Sequence, residues 1–131
     1  MPKNLALADL ERSGLTKEDA RKMEIEVYSR EDSAELGLSE VAAGYTIPYF
    51  GLDGERTGFF RYRLLEDTSK GFAKLTGKTG PKYLQPPGTP PDAYLAPFID
   101  WREIATDPDT PLVITEGEKK AAKATIEGIT T

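Results

Sequence analysis

The residues best placed to do chemistry lie in Pro111-Leu112-Val113-Ile114-Thr115-Glu116-Gly117-Glu118-Lys119-Lys120-Ala121-Ala122. Leu112, Val113 and Ile114 are consecutive apolar residues, which predicts a short strand covered on both faces in a parallel sheet. From Glu118 the residues favour helix, Thr115 and Glu118 have the spacing of a capping box, and Gly128 is a helix stop. This pattern places Glu116 at the carboxyl end of a parallel strand, where open α/β sheets put their active groups. A carboxylate fixed there, with Gly117 leaving room for a phosphate, is a candidate magnesium ligand or proton-transfer group. Glu118 has a sufficient role as the capping partner.

A second set of candidates is cationic. Between Arg56 and Lys82 there are seven basic residues against Glu66 and Asp67, an island of about +5 in a chain of net charge −5. Such an island is either a phosphate-contacting surface or an ordinary solvated loop. Within it, Arg61 and Arg63 are two apart on a strand-like run and therefore point to one side of the sheet. Paired arginines can grip phosphates bidentately. They can equally pair with acids in a structural network, and both readings stand at this point.

Composition limits the rest. The 131 residues contain no cysteine and no histidine, so thiolate and imidazole metal sites are excluded. A metal would be a hard cation held by carboxylates, Mg2+ or Mn2+ in kind. No apolar run approaches the roughly 20 residues of a membrane span, and the N-terminus lacks the apolar segment of a signal peptide, so a cytoplasmic protein with no membrane partner is expected. Two motifs are set aside. Gly77-Lys78-Thr79 resembles the tail of a P-loop, but Phe72 occupies the position of its first glycine. Asp107-Pro108-Asp109 is an acid pair in a proline turn ahead of the apolar run, where turn and cap roles suffice.

The elements that must position these residues suggest an α+β protein. Leu5 to Met23 reads as two short helices, with Leu5 and Ala8 on the apolar side of the first and Thr16 and Asp19 at cap spacing for the second. The segment is acidic, which argues against a helix-turn-helix DNA reader. Ile25–Tyr28 alternates like a strand. Ser29 and Asp32 cap a third helix ending at Gly37. Tyr45 to Phe50 and Thr57 to Leu65 flank Asp53-Gly54, a strong hairpin signal. Pro48 requires an edge, or an amide turned from its neighbour. Lys82-Tyr83-Leu84 is a brief strand, and Trp101 is a large apolar anchor. The expected division is a helical lead-in at 1–44, a basic β module at 45–110, and an incomplete βα unit at 111–131.

Leu112 to Ala122 resembles the first motif of the toprim domain, with the family glutamate at Glu116. Thr46 to Phe50, Asp53-Gly54, Gly58-Phe59-Phe60-Arg61-Tyr62-Arg63-Leu64 and Pro81-Lys82-Tyr83-Leu84 resemble, in order, the segment preceding toprim in bacterial replicative primases. Residues 9–129 are similar still more closely to a family of phage, plasmid and integrative-element proteins carrying a domain of unknown function ahead of a toprim-like core. The resemblance implies a piece of a mobile-element DNA primase, truncated after the first toprim motif and inactive alone. Arg61, Arg63, Lys78 and Lys82 would bind single-stranded DNA template and nucleotides. Glu116 would be a catalytic and metal-site carboxylate for Mg2+ or Mn2+ in primer synthesis. A replicative helicase is a candidate partner. The alternatives are a stand-alone protein-binding module derived from a primase, contacting partners through its acidic helices at Asp9–Glu35, and part of a toprim nuclease.

Overall fold

Helix α1 spans Pro2–Arg12 and α2 spans Lys17–Lys22 in the computed structural model, which describes residues 2–66 and 82–131. The second helix starts where its cap requires. Asp19 N–H donates to Thr16 Oγ1 at 3.1 Å and Thr16 N–H donates to Asp19 Oδ2 at 2.8 Å, so two otherwise unpaired amides are satisfied. The apolar side of α1 is not the expected one: Leu5 and Ala8 are exposed, whereas Ala6, Asp9 and Leu10 are buried. Strand β1 (Glu26–Tyr28) follows, then the short helix α3 (Arg30–Ser33), which runs into a 3-10 turn at Ala34–Leu36 and stops at left-handed Gly37.

Strands β2 (Gly44–Phe50), β3 (Arg56–Leu64) and β4 (Tyr83–Leu84) join β1 in an antiparallel sheet of order β1-β2-β3-β4. Every residue of β2 is buried, and Gly44, Tyr45 and Thr46 have strands on both sides. Pro48 is tolerated in this strand for a geometric reason. It lies opposite Phe60. Leu65 N–H donates to Ala43 C=O, and alternation from that bond turns the nitrogen of residue 48 away from β3. On its other side β1 has already ended, since its pairing reaches no further than Glu26 with Thr46. The missing donor therefore breaks no ladder bond. The register then shifts between Pro48 and Phe50, opposite Gly58 at φ 90°, and Asp53-Gly54 sits within the turn at 51–55.

The alternation expected for β3 holds, and it gives the sheet two different faces. Tyr62 and Leu64 pack with Ala42 beneath Tyr28, Leu36, Leu38 and Leu84. The opposite face carries Tyr45 and Ile47 against Ala6, Leu10, Leu15, Met23, Ala96 and Ala122. That cluster draws on all three segments expected from the sequence, so lead-in, β module and final helix share one core. Helix α4 (Trp101–Thr106) is capped by Asp100, and Trp101 is buried with its indole N–H donating to Ala96 C=O at 2.7 Å. Helix α5 (Glu118–Ile126) ends before Gly128, at φ 93°. Among the described residues no helix is long and apolar enough to cross a membrane.

The strand expected at Leu112–Thr115 is not formed. Those residues are exposed and irregular, with Leu112 at 57% and Ile114 at 89% exposure. A strand needs a neighbour, and the Val113 N–H donates to Thr130 C=O, which joins this run to the tail after α5 and not to the sheet. The molecule is thus α+β without a parallel βα unit among its described residues. The Thr115–Glu118 capping box is absent as well: the N-cap of α5 is Gly117, which has no side chain to cap with, and Glu118 turns inward.

Gly44 lets β2 and β3 approach closely. A Cβ there would stand 2.3 Å from the Arg63 carbonyl oxygen and 2.6 Å from the Tyr62 ring. Neither can retreat, because Tyr62 is fully buried and its hydroxyl donates to Ala42 C=O at 2.7 Å. Gly44→Ala should lower stability by about 2–3 kcal/mol in denaturant titration, the upper range for overpacking. Gly54→Ala, where a Cβ meets nothing within 4 Å, should lower it by about 1 kcal/mol through its left-handed backbone alone.

Candidate functional site

The helix-bearing face of the sheet gathers the chemistry of the molecule. Arg61 and Arg63, alternate residues of β3, both lie over the Tyr83 ring of β4, at 4.7 and 5.4 Å from its centroid. Lys119 of α5 reaches the same ring at 5.9 Å. Three cations around one aromatic face would repel one another without nearby acids, and two are present: Asp9 from α1 and Glu118 from α5.

Asp9 is 2% exposed and accepts four side-chain donors. The Tyr45 hydroxyl donates at 2.6 Å, Lys119 Nζ at 3.0 Å, Arg63 Nη2 at 3.1 Å and Arg12 Nη2 at 2.8 Å. An ionised carboxylate has about four acceptor positions, so this one is saturated. Burial alone would push the Asp9 carboxyl up. The hydrogen bonds from Tyr45, Lys119 and Arg63 outweigh burial and hold it well below the ordinary carboxylate value. The Tyr45 phenol moves the other way, raised by burial and by donating to Asp9.

Glu118 is in a different position. It is 3% exposed, and its Oε1 accepts from Arg61 Nη1 at 3.4 Å, a long contact. Its Oε2 is buried without a partner, as are the Nε atoms of Arg61 and Arg63 and the hydroxyl of Tyr94. Glu118, Arg61 and Tyr94 line a groove of about 700 Å³ whose walls include Tyr49, Trp101 and the exposed Leu112–Ile114 run. Tyr94 packs edge-on against Tyr49, with centroids 5.1 Å apart. Both phenols are pushed up by burial first and by the Glu118 carboxylate second, so they stay protonated donors at neutral pH.

The residues expected to form a site are therefore only partly brought together. Arg61 and Arg63 do share a face, and both engage acids, as the structural-network reading required. Lys82 is exposed beside them, and its carbonyl accepts from Leu64 N–H at 2.9 Å and from Arg63 Nη1 at 3.5 Å. Lys78 lies outside the described residues. Glu116 is exposed, and among the described residues no group of three or more carboxylates is arranged to hold a metal ion. These residues alone do not fit a Mg2+ or Mn2+ site. Asp107 and Asp109 form a turn, with Asp109 N–H donating to Asp107 Oδ1 at 2.9 Å.

The sequence reading missed Asp9, Glu118, Lys119, Tyr83 and Tyr94 as site residues. A signal existed for Asp9, which follows Ala6 by three and precedes Leu10 by one, so it belongs to the stripe those apolar residues bury. Nothing local announces Lys119, which meets Asp9 across 110 residues of sequence.

Asp9→Asn should destabilise the protein by about 3–5 kcal/mol, since it leaves Arg63 and Lys119 without their counter-ion in a buried place. The pH dependence follows from the lowered carboxyl. With an unfolded value near 3.9, the stabilisation is fully present above about pH 5, and is lost as pH falls through 4 toward the folded-state value. Denaturation midpoints measured from pH 7 to pH 2 should fall steeply below pH 4 in the natural protein and distinctly less in Asp9→Asn.

No family model, no curated protein and no solved structure matches this chain.

Proposed function

We propose that the chain is the template- and nucleotide-binding portion of a mobile-element DNA primase, a replication protein of the cytoplasm, and that it is inactive by itself. The observation that carries this reading is the cationic set around Tyr83: Arg61, Arg63 and Lys119 on one ring, with Lys82 exposed at its margin. Such a set has the components of a single-strand platform, cations for the backbone and aromatic rings beside them.

The cations divide by their partners. Arg63 and Lys119 are 18% and 15% exposed and are held on Asp9, so they position the cluster. Arg61 is a third exposed with only a long contact to Glu118, and Lys82 is on the surface, so these two are the phosphate-binding residues. In this reading Glu116 is one carboxylate of a site that other carboxylates would have to complete before Mg2+ or Mn2+ could act there. A replicative helicase remains the proposed partner of the parent protein. One observation favours a second reading, protein docking: Leu112, Val113 and Ile114 are all exposed.

Fluorescence anisotropy with a labelled oligothymidine, repeated over a series of salt concentrations, tests the proposal. Affinity should fall linearly on a log–log plot, and each phosphate contact removed should lower the slope by roughly 0.7. Lys82→Glu and Arg61→Gln should each do so while Lys22→Glu, on exposed α2, leaves the slope unchanged. Affinity that is indifferent to salt, or that survives both substitutions, would refute the phosphate surface and leave the docking reading.

A further inference from the structure

The groove between β2, β3, the loop at Tyr94 and the start of α5 contains an unpaired polar set that the fold itself does not use. Glu118 Oε2 is an acceptor without a donor, on a side chain 97% shielded from solvent; Arg61 Nε and the Tyr94 hydroxyl are donors without acceptors. All three residues line the same groove. Buried polar atoms are nearly always paired in folded proteins, so three within one concave site point to something that binds there.

The chemistry of the set narrows the ligand. A free cation is disfavoured because Arg61 stands 3.4 Å from the Glu118 carboxylate. A phosphate is disfavoured because that carboxylate would face it in a poorly hydrated place. What satisfies both is a neutral group with a hydrogen-bond donor beside an acceptor. A peptide unit has both, but an extended peptide needs a row of alternating partners along its length. The unpaired groups here are few and confined, and the rest of the wall combines aromatic and aliphatic side chains, among them Tyr49, Trp101 and Leu112, with Asp92, Asp107 and three threonines. A flat heteroaromatic ring with a polar edge fits that division.

We propose that this groove is a nucleobase pocket, with Glu118 Oε2 accepting from a ring N–H or exocyclic amine and Arg61 and Tyr94 donating to the neighbouring ring nitrogen or carbonyl. Every base offers such an edge, and the pocket takes the base alone while sugar and phosphate stay outside. The assignment deepens the nucleic-acid reading above and rests on it for the source of the ligand. It also assigns Glu118, not Glu116, as the acid of this region that meets the ligand.

The test uses nucleosides, which carry no phosphate, so it reads the pocket without any phosphate contact, although Arg61 belongs to both surfaces. The chain has one tryptophan, and Trp101 lines the groove, so a single indole N–H signal reports on it in 15N-correlated NMR spectra. Titration with guanosine, adenosine, cytidine and thymidine should shift this signal and the Gly117 amide saturably for at least one nucleoside, with Kd roughly 0.1–1 mM for a ligand of this size. Glu118→Gln should raise that Kd about tenfold, the equivalent of one charge-assisted hydrogen bond.

Tyr94→Phe is the second variant. It removes a hydroxyl that has no partner in the fold, so the melting temperature should hold or rise while nucleoside affinity falls about fivefold. No saturable shift with any of the four nucleosides would overturn the pocket even if oligothymidine still binds. So would shifts left unchanged by both substitutions, or shifts produced equally well by N-methylacetamide at the same concentration, which would identify a general amide site instead of a base site.

Discussion

The architecture depends on the Asp9 carboxylate. Its four donors come from α1 itself, β2, β3 and α5, so one buried anion ties the first helix to the last across the central hairpin. A buried carboxylate is expensive to desolvate, and only a full set of hydrogen bonds offsets that loss. Asp9 has the full set. Arg63 and Lys119 could not sit around Tyr83 without it, because three cations within 6 Å of one ring centroid would repel one another. The apolar packing of α1 and α5, through Ala6, Leu10 and Ala122, supplies area but no orientation. Orientation comes from the directional bonds to Asp9.

Elements set by neighbouring residues were legible in the sequence. The Thr16–Asp19 cap, the stop at Gly37, the Asp53-Gly54 turn and the alternation along β3 each depend on groups a few positions apart, and the structure reproduces each of them. The antiparallel hairpin was legible for the same reason. Features set by distant partners were not. Leu112 to Ile114 has the composition of a buried strand, yet burial is decided by what lies alongside, and the sheet is completed by β1 and β4. Thr115 and Glu118 have capping-box spacing, but the helix takes Gly117 as its N-cap and Glu118 turns toward Arg61, 57 residues away.

The candidate site shows the same division. That Arg61 and Arg63 share a face follows from the two-residue period of a strand. That they face acids does not, since Asp9 and Glu118 lie 54 and 57 residues away from their respective partners. The charge asymmetry of the sequence was real, but it did not show that part of the basic island is neutralised inside the fold. Only Arg61 and Lys82, of the expected cations among the described residues, retain enough exposure to meet a phosphate directly.

Asp9 and Glu118 make a controlled comparison, because each faces an arginine on the same strand and each is nearly inaccessible. Asp9 has every acceptor position filled, and its charge is held by the fold. Glu118 has one hydrogen bond, at 3.4 Å, with the Tyr49 hydroxyl close by, and an unpaired oxygen. The attraction of a pair at that separation is worth about 4–5 kcal/mol at the effective dielectric of protein sites, similar to the several kcal/mol lost in desolvating each ion. A glutamine or an apolar residue would serve the core as well or better. Stability therefore explains Asp9 and does not explain Glu118, and burial without a structural return is the pattern expected of a residue that meets a ligand, the role proposed for Glu118.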